Sequence, residues 1–123
     1  MTTLMLLDDC VSRARCVPAV LDGHLSGPGD AALEYCDALL EDLDAALERC
    51  NHAVRCGADL DLVVSQVLQL KWLVYCALRR HLTAKGWSDT ALAAFAYTAA
   101  CDLRDSRDRV DAARSETRLA RAG

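Results

Sequence analysis

A chain of 123 residues with 53% hydrophobic and 26% charged residues can enclose one core and is too apolar to stay unfolded, so a single domain over 1–123 is expected. The net charge of −4 is small but unevenly spread, with −8 over residues 1–62 and +4 over 63–123, which favours pairing between the two halves or docking on a partner. The seven cysteines are an odd number, which excludes a fully paired monomer.

Only 5% of the residues are aromatic, so leucine, valine, alanine and cysteine must build the interior. There is no isoleucine, and arginine far outnumbers Lys71 and Lys85. That bias points to a GC-rich genome, bacterial or of a large DNA virus.

The chain opens "MTTLMLLDDC". It has no basic segment ahead of its apolar run, and Asp8 and Asp9 interrupt that run, so no signal peptide is read. An intracellular location (cytoplasmic or nuclear) and reduced thiols follow as expectations. Leu4, Leu7, Val11, Ala14, Pro18, Leu21 and Leu25 recur at helical spacing. Pro18 lacks an N–H and crowds the carbonyl of Ala14, so a kink or break is expected near Val17.

"SGPGD" at 26–30 reads as a loop, with Asp30 as N-cap of a second helix. There Leu33, Cys36, Leu40, Leu43, Leu47, Cys50 and Val54 alternate by three and four, widened by Ala32, Leu39, Ala46 and Ala53. The opposite face, Glu34, Asp37, Glu41, Asp42, Asp44, Glu48 and Arg49, is acidic and solvated. Gly57 closes this helix, and Asp59 is placed to cap the next.

The run "LDLVVSQVLQLKWLVYCAL", 60–78, is apolar nearly all round and reads as the central helix. Asp61, Ser65, Gln66, Gln69 and Lys71 interrupt it, so no membrane span is expected. Gly86 ends it. Ser88 then caps a fourth helix, with Trp87 and Leu92 at the spacing of a hydrophobic staple. Residues 104–123, rich in Arg and Asp, carry only Val110 and Leu119 as large apolar residues and are expected to project or fray. Four helices joined by short loops predict an all-α, antiparallel, up-down-up-down bundle.

Cys36 and Cys50 sit between leucines on the seam, where a free thiol acts as a small hydrophobe. Cys76 and Cys101 lie in apolar segments. No C-x-x-C occurs, which removes the usual redox and zinc-knuckle signatures. His52 and Cys56, at i and i+4, share a helix face and are candidate metal ligands, with Cys10, Cys16 or His24 available to complete a site. Residues 35–56, "YCDALLEDLDAALERCNHAVRC", resemble copper-sensing repressors of the CsoR type in carrying a Cys and then a helical His-x-x-x-Cys. The resemblance implies copper(I) binding. The interval from Cys36 to His52 is shorter than in that family, and the early helices are acidic where its DNA-facing surface is basic.

His81 in "RRHLTAKGW" is similar to the His-x-x-Lys-Gly of four-helix phosphotransfer domains, with Lys85 and Gly86 displaced by one residue. Cations at that helix end also complement its dipole. The carboxylates of the second helix lie outward, and no Glu-x-x-His, phosphate loop, nucleophile elbow or HExxH is present. In the tail Asp105, Asp108, Asp111 and Glu116 alternate with arginines, as in an ion-paired helix such as Asp105 with Arg109. Nucleic-acid binding is not expected.

These readings give a non-enzymatic protein–protein interaction module without cofactor, a viral accessory protein or small bacterial adaptor that self-associates or receives a partner. Glu41, Asp44 and Glu48 are its expected acidic contact residues, and Arg107, Arg114 and Arg118 the basic ones. The alternative is a metal-binding or metal-sensing protein using His52 and Cys56.

Overall fold

The leucine and cysteine stripe of residues 32–54 organises the molecule. In a computed structural model, which describes residues 2–23 and 31–122, four helices pack on one another: α1 (Thr3–Gly23), α2 (Ala31–Arg55), α3 (Asp61–Ala84) and α4 (Asp89–Ala122). The fold is an all-α four-helix bundle. Along α2, Cys36, Leu39, Leu40, Leu43, Ala46, Leu47, Cys50 and Val54 are buried as the spacing predicts. Each fully buried leucine contributes about 1.5–3 kcal/mol. The acidic face, from Glu34 through Glu48, points to solvent, with Asp42 half-buried.

The stripe of α1 is rotated from the expected one. Leu6, Leu7, Cys10, Val17 and Leu21 are buried, while Leu4 is 66% exposed and Pro18 faces outward. Buried Leu7, Cys10, Val17 and Leu21, with half-buried Ala14 between them, also alternate by three and four. Pro18 does not break α1, which runs on to Gly23. Its ring lies on the solvent side, and Val17 and Leu21 hold the helix to the core on either flank. Leu25, His24 and the cap assigned to Asp30 lie outside the described residues.

Gly57 and Gly86 have φ of 100° and 86°, the left-handed conformation glycine tolerates at a helix end. Both helix ends close in the same way. The N–H groups of Gly57 and Ala58 donate to the carbonyls of Val54 and Ala53, and those of Gly86 and Trp87 to Thr83 and Leu82, the paired bonds of a Schellman motif. Ser88 caps α4, its Oγ accepting from the Ala91 N–H at 3.2 Å. Asp59 is one residue early for α3. The N-cap is Leu60, which has no side-chain capping bond, and Asp59 accepts only a long 3.4 Å bond from the Asp61 N–H.

The charged part of α4 does not project along its length. Ser106, Val110 and Ala113 are buried, the Thr117 hydroxyl donates to the Val54 carbonyl at 2.8 Å, and Arg55 meets Glu116 at 2.9 Å. Only beyond Thr117 does the helix leave the body, with Leu119 exposed.

α2 and α3 each touch the other three helices, whereas α1 and α4 do not touch each other. The pairs Glu48–Arg109 and Arg55–Glu116 run in step, so α2 and α4 are parallel; Asp61–Arg114 and Lys71–Asp102 run oppositely, so α3 and α4 are antiparallel. The outer face of α3 therefore lies open between α1 and α4.

Thiol chemistry follows from this packing. Cys10, Cys36 and Cys50 are fully buried, whereas Cys16, Cys56 and Cys101 are exposed. Burial pushes the Cys36 thiol up to about 11 and raises Cys10 and Cys50 as well, which suppresses the reactive thiolate. In the folded protein a thiol reagent should label the exposed three rapidly and the buried three only in denaturant. Rapid native labelling of Cys36 and Cys50, read by mass spectrometry, would show the seam to be open.

Candidate interaction surface and the buried lysine network

The buried stripe of α3 contains a cation. Val64, Val67, Lys71, Val74 and Leu78 recur by three and four on the core side, and Lys71 is 0% exposed. Its ammonium is ion-paired with Asp44 of α2 at 2.6 Å and Asp102 of α4 at 2.9 Å, and it donates to the Ser106 hydroxyl at 2.6 Å. One turn along α3, the Tyr75 hydroxyl donates to the same Asp102 oxygen at 2.6 Å. Lys71 and Tyr75 on α3 thus face Asp102 and Ser106 on α4, two i,i+4 pairs set against each other. All three ammonium protons have acceptors, as a buried lysine requires.

Burial works to raise the Asp102 carboxyl, but the hydrogen bonds from Tyr75 and Lys71, with the charges of Lys71 and Arg109, outweigh it and hold it below the ordinary carboxylate range. Tyr75 is raised, by burial first and then by its bond to Asp102. A depressed carboxylate stabilises the fold above its unfolded value of about 4 and ceases to do so as pH falls through its lower folded value. Asp102→Asn should therefore flatten the fall in melting temperature on the acid side of about pH 4. An unchanged acid limb would contradict the network.

Lys71, Tyr75 and Ser106 contain the side chains of a nucleophile and a base, yet their geometry closes them to substrate: Lys71 is wholly inside and Ser106 is buried. The arrangement ties α2, α3 and α4 together. Sequence spacing held the signal, since Lys71 falls on the same stripe as Val64, Val67, Val74 and Leu78.

The expected contact residues divide. Asp44 is engaged by Lys71. Glu48 meets Arg109 at 3.4 Å, where Arg107, Arg114 and Arg118 were the expected partners. Arg114 pairs with Asp61 at 3.0 Å. The Asp105–Arg109 pair forms at 3.1 Å. Glu41 is exposed. Arg107 borders a shallow groove with Ser65, Leu68, Gln69, Trp72 and Leu103, and Arg118 another with Val54, Ala58 and Asp61. The acidic and basic halves thus meet within one chain, through partners that side-chain reach decides.

His52 and Cys56 are both exposed near the end of α2. Among the described residues, no three His, Cys, Asp or Glu side chains are grouped to hold a metal ion. Cys10 lies in the core instead, beside the Arg13 guanidinium, which also pairs with Asp42. His81, the residue of the phosphotransfer likeness, is buried, and phosphotransfer needs an accessible ring.

What remains open is apolar. Along the outer side of α3, Leu62 is 88% exposed, Trp72 53% and Leu73 44%. Between α1 and α3 a groove is floored by Val11, Ala14, Leu70, Leu73 and Ala77 and flanked by Arg15 and Arg80. It continues past Pro18, Leu21 and Asp22 to His81 and Ala84. By length and composition alone α3 is also apolar enough to cross a membrane; here it packs on three helices, with Lys71 ion-paired near its midpoint.

Comparison with protein families, curated proteins and solved structures finds no match to this chain.

Proposed function

We propose that the protein is a non-enzymatic protein–protein interaction module, an intracellular adaptor or viral accessory protein, that receives a partner on the open side of α3. The observation that carries this reading is the apolar groove between α1 and α3, floored by Val11, Ala14, Leu70, Leu73 and Ala77, with Leu73 44% exposed. Contiguous exposed apolar surface rimmed by polar groups marks interaction sites, and a groove between two helices suits an amphipathic helix. The acidic face of α2, which spends Asp44 and Glu48 on pairs within the chain, is the weaker contact surface.

Selection of displayed random helical peptides against the wild-type protein and against Leu73→Asp tests the reading. Enrichment on the wild type that is lost on the variant supports docking at this face. No enrichment, or enrichment indifferent to the substitution, contradicts it.

A further inference from the structure

We infer that the α1–α3 groove takes an acidic amphipathic helix of about four turns, a foreign segment with an apolar stripe flanked on both sides by Asp or Glu. This rests on the docking reading above and specifies its partner. The groove follows α1 from Val11 to Asp22 and α3 from Leu70 to Ala84. At 1.5 Å per residue that is about 20 Å, the length of about 14 helical residues.

Its charge is one-sided. Arg15 on the α1 wall and Arg80 on the α3 wall are exposed and have no ion-pair partner among the described residues. Residues 62–88 contain no Asp or Glu, and Asp22, at the far end, is the one carboxylate among the described residues that line the groove. A helix lying on Val11, Ala14, Leu70 and Leu73 brings its two flanks beside guanidinium groups on opposite walls. Carboxylates there form charge-assisted bonds, whereas cations are repelled. A second copy fits less well. The chain's own acidic face, on α2, exposes only Ala38 and Ala45 between its acids, too little apolar bulk to fill the floor.

The test uses two synthetic 16-residue peptides with the same leucine stripe, one flanked by Glu and one by Lys, titrated into the full chain by calorimetry. The Glu peptide should bind at least about tenfold more tightly at low salt. The preference should shrink toward about 0.5 M salt as the Debye length falls below 10 Å. It should reverse in Arg15→Glu/Arg80→Glu, with Arg15→Gln/Arg80→Gln as a milder pair in case the reversal perturbs folding. Equal or tighter binding of the Lys peptide would overturn the acidic partner while leaving the docking reading intact. If neither peptide binds at about 1 mM, the inference fails, and the Leu73-dependent selection then decides whether the docking reading fails with it. Binding to vesicles of phosphatidylglycerol in place of either peptide would overturn the inference in favour of a lipid surface. A dimer in sedimentation velocity that Leu73→Asp dissociates would overturn it in favour of a second copy.

Discussion

Lys71→Ala should destabilise the protein by about 3 kcal/mol, the lower end of the range for breaking a buried ion pair. The substitution leaves Asp102, Ser106 and Tyr75 facing a cavity with no cation between them. The cost stays near the lower end because the carboxylates reach water: Asp44 is 52% and Asp102 30% exposed. Lys71→Met, which keeps most of the volume and removes the charge, should cost at least about 1 kcal/mol less than Lys71→Ala. Both variants leave Asp44 and Asp102 without their cation, so the difference between them is the packing that the methionine side chain keeps. Urea unfolding of the two variants separates charge from packing. If both match wild type, Lys71 is hydrated, and the network does not hold three helices together.

Leu43→Asp should not fold at all. Leu43 is fully buried at the centre of α2, a helix that touches all the others, and a carboxylate placed there finds no partner and no water. Its escape through protonation would itself cost stability at neutral pH. Leu43→Ala, which leaves a cavity and no charge, should cost about 2–5 kcal/mol. Circular dichroism shows the first outcome and urea unfolding the second. A Leu43→Asp protein that melts like wild type would mean the seam is wrongly placed.

The architecture was legible where two signals agreed. In α2 the three-and-four spacing of Leu and Cys coincides with a predominantly acidic opposite face, so both period and phase are fixed. In α1 apolar residues lie on both sides of the helix. The period could be read there, but its phase could not, and Cys10 and Val17 took the places given to Val11 and Pro18. In α3 an apolar residue follows almost every position, so the sequence does not say which leucines face water. Leu62 and Leu73 stay outside while Lys71 goes in, because partners on α2 and α4 make its burial tolerable. Those partners are far away in sequence, and the groove between α1 and α3, whose two walls are also far apart in sequence, has no local signal at all. The pairing of the acidic face of α2 with arginines of α4 was legible as charge, but the individual partners were not, since long side chains choose among several neighbours.

If the outer face of α3 is free to dock a partner, it is not needed for folding. Thermal unfolding of Leu73→Asp tests it most directly. The side chain is partly in water, so a carboxylate there stays hydrated and the melting temperature should fall within a few degrees of wild type, about 1 kcal/mol or less. A Leu73→Asp protein that collapses as Leu43→Asp does would place this face in the core and contradict the account.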